Sequence, residues 1–174
     1  MVDLHGIPIR SLWTFARHAP AFILRWFFPK QRLAELIYVD LRPRFEPATL
    51  DLVDGGRYNF WFNVINLSPF NIELQSAEFS FSYCGCLIKT PLVIKQTFAP
   101  GKIEGLHISG VVESGMANQI ALARSRSNMV GDGYFEGTIE FDCKLHSFQK
   151  SIGHLAGIKP IVSNEAARLQ KQIA

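Results

Sequence analysis

The sequence predicts a mainly β protein: an immunoglobulin-like antiparallel β-sandwich with an N-terminal amphipathic helical arm and a short helix before the last strand. Apolar residues recur at every second position over most of the chain from Leu36 onward, as expected for strands with one buried face. Six or seven such runs are separated by short turns, which is typical of two packed antiparallel sheets. The predicted boundaries are an arm over residues 1–34, a sandwich over 35–150 and a C-terminal tail over 151–174.

The arm is predicted from apolar residues at three- and four-residue steps between Leu12 and Phe27, with mostly basic residues opposite. This spacing places Ile23, Trp26 and Phe27 on the apolar side. Pro20 would remove an interior helix hydrogen bond, so we expect a kink there, or two short helices with Pro20 in the first turn of the second and Pro29 at its end. A membrane span needs about 20 mostly apolar residues. Because this segment is shorter and contains arginine, we expect it to lie on a surface rather than to cross a bilayer.

The predicted strands follow the alternation and are bounded by turn residues. They lie near residues 37–45, 58–64, 70–83, 106–112 and 134–148, with one or two more between residues 86 and 98. Apolar residues change from even positions at Leu74 to odd positions at Ala77, so one face stays inward only if an extra residue is accommodated near Gln75 or Ser76, which predicts a β-bulge. Pro91 cannot donate to a ladder, so its strand is predicted to be broken or to lie at a sheet edge.

The C-terminal third combines a helix, a strand and a tail. Residues 115–126 have the pattern of a short helix inserted before the last hairpin. Apolar residues from Phe135 to Leu145 alternate with polar residues from Glu136 to His146, which predicts the clearest strand of the chain over residues 134–148. The tail from Ser151 is predicted to be looser, and Asn164 could cap a final polar helix.

Composition and charge exclude several classes of function. The net charge is +3 and the pI is about 8.8, without the concentrated Lys and Arg stripe that phosphate-backbone binding needs, so nucleic acid is disfavoured as a partner. Cys84, Cys86 and Cys143 are an odd number, and the first two are too close in sequence to bridge easily, which argues against a disulfide framework and favours a reducing compartment such as the cytoplasm or an organelle interior.

No motif for catalysis or cofactor binding is found. The five histidines lack metal-ligand spacing, and the cysteines do not complete a four-ligand set. Neither a nucleophile elbow nor a phosphate-binding loop is present. We therefore predict a protein that is not an enzyme, with no cofactor, no metal and no identified small-molecule substrate.

The arm carries the candidate binding surface. Its aromatic side chains need a cover, which could be the protein's own sandwich, another protein chain or a lipid interface. Arginines beside Trp and Phe suit an anionic headgroup region, and the same residues suit a groove in a protein partner. The candidate membrane- or partner-binding residues are Trp13, Arg17, Phe22, Arg25, Trp26, Phe27, Phe28 and Lys30.

Several short motifs resemble a known family. A corner over residues 62–72 centred on Asn66 and Pro69, the step Tyr83-Cys84-Gly85, the turn at Pro100-Gly101 and the strand over 133–139 are similar to the water-stress and hypersensitive-response (WHy) domain of type 2 late embryogenesis abundant proteins. The resemblance covers roughly residues 36–148. It implies an immunoglobulin-like sandwich without catalytic residues, often tethered to a membrane in plant members and associated with stress protection. This chain differs by having Leu67 and Ser68 between the Asn and the Pro, and by having the arm in place of a spanning helix.

The sequence thus predicts a non-catalytic, peripheral membrane-associated binding module, with the arm meeting the lipid. The alternative is an interaction subunit of a larger protein complex, with the arm packed on a partner chain.

Overall fold

The computed structural model describes residues 19–41, 48–52, 56–126 and 132–163. Within these residues the helices are α1 (Ala21–Phe27), α2 (Lys30–Glu35) and α3 (Ser114–Arg126). The strands are β1 (Ile37–Leu41), β2 (Thr49–Asp51), β3 (Arg57–Asn66), β4 (Ile72–Tyr83), β5 (Cys86–Leu92), β6 (Gln96–Phe98), β7 (Ile103–Val111), β8 (Gly133–Asp142), β9 (Ser147–Ile158) and β10 (Ile161–Ser163). The predicted short helix over residues 115–126 is confirmed as α3.

Each sheet is organised around one long central strand. In the first sheet, β3 pairs antiparallel with β7 on one side and, over successive stretches, with β1 and β2 on the other. In the second sheet, β4 pairs with β8 on one side and with β5 and β6 on the other, and β9 pairs with β8. The two sheets pack as a sandwich, which confirms the predicted fold class. One pair, β2 with β10, is parallel.

Aromatic side chains from both sheets form the centre of the core. Phe60 and Phe62 of β3 each lie against Phe135 of β8, with ring centroids 5.0 Å apart in both pairs. Phe62 also stacks on Phe79 of β4 at 5.2 Å, and Phe60 lies 4.9 Å from Phe81. All of these rings are fully buried, and each contributes on the order of 1.5 to 3 kcal/mol through its removal from water.

The predicted irregularity in β4 is confirmed. The pairing of β4 with β8 shifts between Leu74 and Ser76, and both Leu74 and Ala77 are buried as a result. β4 and β5 are joined through Cys84 and Gly85, which have φ angles of 50° and 76°. Two successive positive φ angles are the requirement of a tight hairpin turn whose twist matches that of the strands.

The predicted single strand over residues 134–148 is wrong. β8 ends at Asp142, and the chain turns so that the Cys143 amide donates to the carbonyl of His146 at 3.0 Å before β9 begins. Leu145 is buried inside this turn, so the apolar alternation continues through it and hides the break.

The expectation of a looser tail from Ser151 is also wrong for the residues that the structure describes. Residues 151–158 complete β9, and β10 adds a short strand beside β2. Three strands, β8, β9 and β10, therefore follow the short helix α3. The sandwich continues past residue 150. The possible helix from Asn164 lies outside the described residues.

Candidate interaction surface on the helical arm

Two prolines set the local structure of the arm. Pro20 precedes α1 and accepts the first helical hydrogen bonds through its carbonyl, and Pro29 does the same for α2, whose Leu33 amide donates to it at 3.1 Å. Proline is tolerated at a helix start because the missing N–H has no helical partner there. Helices of seven and six residues are too short to be stable alone, so their stability comes from packing.

One side of the arm is anchored in the sandwich. Leu24 of α1 and Leu33 of α2 are buried in the hydrophobic core. The Phe28 ring between the helices meets the Phe70 ring edge-on, with centroids 5.2 Å apart. Arg25 Nε donates to the carbonyl of Leu145 in the β8–β9 turn at 3.2 Å. The two helices α1 and α2 therefore pack on the sandwich along this side.

The opposite side of α1 carries an aromatic patch formed by Phe22, Trp26 and Phe27. Their exposed fractions are 73%, 79% and 50%, although the helix that carries them is anchored. The rings of Trp26 and Phe27 meet edge-on at 5.0 Å. Folding thus orders these rings on the surface without removing them from solvent, which is the arrangement expected of a contact site.

Exposed cations lie close in sequence to the aromatic patch. Arg25, Lys30 and Arg32 are exposed, and the one acidic residue of the two helices is Glu35 at the end of α2. Arg32 donates to the Phe27 carbonyl at 3.3 Å and lies 6.0 Å above the Phe28 ring. Within the described residues no ion pair involves any of these three cations.

A groove of about 540 Å³ lies beside the arm, with Lys30 on one wall. Glu140 lies in the same groove and accepts hydrogen bonds from Ser76 Oγ at 2.7 Å and Gln149 Nε2 at 2.8 Å. These two hydrogen bonds lower the pKa of the Glu140 carboxyl because they stabilise its charged form. The groove thus contains both a hydrogen-bonded carboxylate and a lysine.

The structure separates the sequence-predicted site residues into groups. Phe22, Trp26 and Phe27 come together in the aromatic patch, and Arg25 and Lys30 lie exposed beside it. Phe28 lies apart, because its ring is partly buried on the sandwich. Trp13 and Arg17 lie outside the described residues.

The sequence did not identify the residues that hold the arm in place. Leu24, Leu33 and Phe70 carry this contact, and Lys144 adds a cation 5.0 Å from the Phe70 ring. If one side of α1 were polar, the pattern would have identified Leu24 as a buried residue, but both sides of α1 are apolar. Trp61 belongs to a different surface: it stacks on His107 at 4.8 Å on the outer face of the first sheet.

The fold and this surface together define a β-sandwich domain with an anchored helical arm that displays aromatic and basic side chains. No described helix has both the length and the apolar character of a bilayer-crossing segment. Among the described residues, no three His, Cys, Asp or Glu side chains are grouped so that they could hold a metal ion.

No protein-family model and no curated protein matches the chain. Several solved structures are similar to it. A solution structure from Arabidopsis thaliana is 19% identical, covers 73% of this chain and 81% of its own, and has a TM-score of 0.46. A candidate late embryogenesis abundant protein is 14% identical, with coverages of 85% and 82% and a TM-score of 0.41. A candidate ApaA protein from Bordetella pertussis is 9% identical, with coverages of 70% and 89% and a TM-score of 0.42. The fold class of this chain rests on its own sheet pairing.

Proposed function

We propose that the protein is a non-catalytic binding module that associates peripherally with an anionic membrane surface through the aromatic patch. The observation that carries the proposal is the exposure of Phe22, Trp26 and Phe27 on a helix whose other side is fixed to the sandwich. A ring that moves from water into the acyl boundary gains on the order of 1.5 to 3 kcal/mol when fully buried. Because α1 is already ordered on the sandwich, its residues lose little conformational entropy on binding.

The charges beside the aromatic patch support an anionic surface over a neutral one. Arg25, Lys30 and Arg32 would each gain about 1 kcal/mol near an anionic leaflet. Trp is enriched at membrane interfaces because its ring is apolar while its N–H can reach water or headgroups. The three cysteines of the chain are unpaired, which supports a reducing compartment such as the cytoplasm or an organelle interior.

The test is flotation of the full chain with anionic and with neutral vesicles. We expect flotation with anionic vesicles only, and Trp26→Glu to abolish it, because the substitution places a charge where the ring would enter the bilayer. Salt should reduce binding only in part, since it screens the cations and leaves the apolar contribution. Point variants are preferable to deletion of the arm because Leu24 and Leu33 belong to the core.

Val93→Glu is the matched control, because Val93 is an apolar residue on the sandwich that is 84% exposed. This variant should float like the wild type. Failure of the wild type to float with anionic vesicles would overturn the membrane proposal. The same surface would then favour the second candidate function, an interaction subunit of a larger assembly, because Trp and Arg side by side are the residues that dominate protein interfaces. In that case the protein should copurify with a partner that Trp26→Glu releases.

A further inference from the structure

Among the described strands only β3 pairs with β7, and the free edge on the other side of β7 lacks the protection that the other sheet edges have. Natural edge strands avoid pairing with other chains through proline, lysine, bulges or short length. In the part of the chain that the structure describes, β5 contains Lys89 and Pro91, β9 has two register shifts, and β1 and β10 have five and three residues. β7 has nine residues, a continuous register with β3, and no proline, lysine or arginine.

The hydrogen bonds at the two ends of β7 fix the direction of its backbone groups. The Asn66 amide donates to the Lys102 carbonyl at 3.3 Å, and the Val112 amide donates to the Gly56 carbonyl at 2.9 Å. Antiparallel pairs alternate between bonded and non-bonded positions. Because Lys102 and Val112 are both even-numbered and the register between them is continuous, even positions of β7 bond to β3. The odd positions therefore direct their N–H and C=O groups to the free edge.

A side-chain contact agrees with this assignment. The carbonyl of Gly105 accepts a hydrogen bond from Gln96 Nε2 at 3.0 Å, as expected for an acceptor that the ladder to β3 leaves available. A carbonyl oxygen has two lone pairs, so this bond leaves room for a second donor. The carboxylate of Glu104, the one charged group of β7, accepts from the Ala99 amide at 3.0 Å and does not occupy the edge.

The sequence of β7 is complementary to itself. A two-fold axis at His107 is the only one that pairs all nine residues of the strand with those of a second copy. It places Ile103 opposite Val111 of the second copy, Gly105 opposite Ser109, and His107 opposite itself. Ile103 and Val111 are 63% and 71% exposed, and in this register each covers the other.

Apolar residues on the outer face of the first sheet lead up to the contact between Ile103 and Val111. Tyr38 of β1 lies opposite Ile65 of β3, and Ile65 lies opposite Ile103 of β7, so an apolar row runs across the sheet and ends at the free edge. Val111 of the second copy would continue this row. In this register the backbone groups of the free edge form hydrogen bonds, and the exposed apolar side chains are covered.

We propose that β7 is a self-association edge, through which two copies of this chain join antiparallel and merge their first sheets. The contact is isologous, with the same residues contributed by both copies. It is independent of the membrane proposal, because no residue of the aromatic patch takes part. Edge pairing buries little area, so the dimer is expected to be reversible and concentration-dependent.

The first test is sedimentation equilibrium of the full chain. The wild type should pass from monomer to dimer as its concentration rises. Ile103→Lys and Val111→Glu should each remove the dimer, because each places a charge opposite an apolar side chain. The double variant should restore it, since the introduced lysine faces the introduced glutamate of the other copy. Val93→Lys, at an exposed position elsewhere, should dimerise like the wild type.

A wild type that stays monomeric at every concentration would overturn the proposal. Loss of the dimer in the double variant to the same extent as in the single variants would overturn the register. All of these positions are exposed, so loss of folding is not expected; circular dichroism of each variant checks this.

Oxidative cross-linking tests the position of the two-fold axis. In His107→Cys the two introduced thiols would face each other on Cα atoms about 5.5 Å apart, within disulfide range. In Ser109→Cys the introduced thiol would face Gly105, so cross-linking should be absent. The wild type gives the background from its own cysteines. Preferential cross-linking of the Ser109 variant would overturn the axis at His107.

Discussion

Asn66 is a fully buried amide that uses all of its hydrogen-bonding capacity. Its Nδ2 donates to the carbonyls of Phe70 and Phe98 at 2.8 and 2.9 Å, and its Oδ1 accepts from the amide and the hydroxyl of Ser68 at 2.9 and 2.7 Å. These hydrogen bonds attach the corner that follows β3 to strand β6. It also positions Phe70, against which Phe28 of the arm packs.

Asn66→Ala is expected to lower the free energy of unfolding by about 3 kcal/mol, because it leaves buried carbonyls and the Ser68 amide without a partner. Urea unfolding measures the change. Asn71→Ala, at an exposed position of the same corner, should change stability by no more than about 0.5 kcal/mol. Equal effects of the two substitutions would show that the buried network is not what stabilises the corner.

The sequence predicted this corner and placed Asn66 at its centre, but it could not predict that the Asn66 side chain is buried and fully hydrogen-bonded. Asn63, Asn66 and Asn71 occur in similar local contexts within nine residues of each other. What distinguishes Asn66 is the carbonyl of Phe98, which lies 32 residues away along the chain. A long-range partner of this kind leaves no local signal.

At the scale of elements, periodicity predicted strands well and helix orientation poorly. Alternation located β3 and β4 because each has one buried face and the residues between them are clear turn formers. In α1 the spacing grouped Ile23, Trp26 and Phe27 on one apolar side, whereas the structure buries Leu24 and exposes Trp26 and Phe27. Both sides of this helix are apolar, so the choice depends on where the sandwich lies.

Leu24 and Phe22 form a matched pair for testing how the arm is held. Leu24→Ala should cost about 2 to 3 kcal/mol of stability because it leaves a cavity between α1 and the core. Phe22→Ala should leave stability nearly unchanged, since the ring is exposed, and should weaken flotation with anionic vesicles. Thermal unfolding and flotation on both variants separate anchoring from binding. A stability loss for Phe22→Ala as large as for Leu24→Ala would contradict the assignment of the two sides.

For the whole molecule, the class of fold followed from the number and spacing of the strands, while their pairing did not. The parallel contact of β10 with β2 joins residues more than one hundred positions apart, and β10 has only three residues to signal it. In β9, register shifts near Gly133 and Phe135 of the neighbouring strand interrupt the period of two. Sheet order and these irregularities depend on global packing, which a local pattern does not report.

The two sheets are also joined by a buried contact between two hydroxyl groups, which allows their coupling to be measured. The Thr90 hydroxyl of β5 donates to the Tyr58 hydroxyl of β3 at 2.6 Å, and both residues are buried. Tyr58→Phe leaves the Thr90 hydroxyl without its acceptor, and Thr90→Val leaves the Tyr58 hydroxyl without its donor, so each should cost about 1 to 3 kcal/mol. The double variant removes both polar groups and should therefore be more stable than the sum of the single effects predicts. Urea unfolding of the four proteins completes the cycle; strictly additive losses would show that the hydroxyls do not depend on each other across the sandwich.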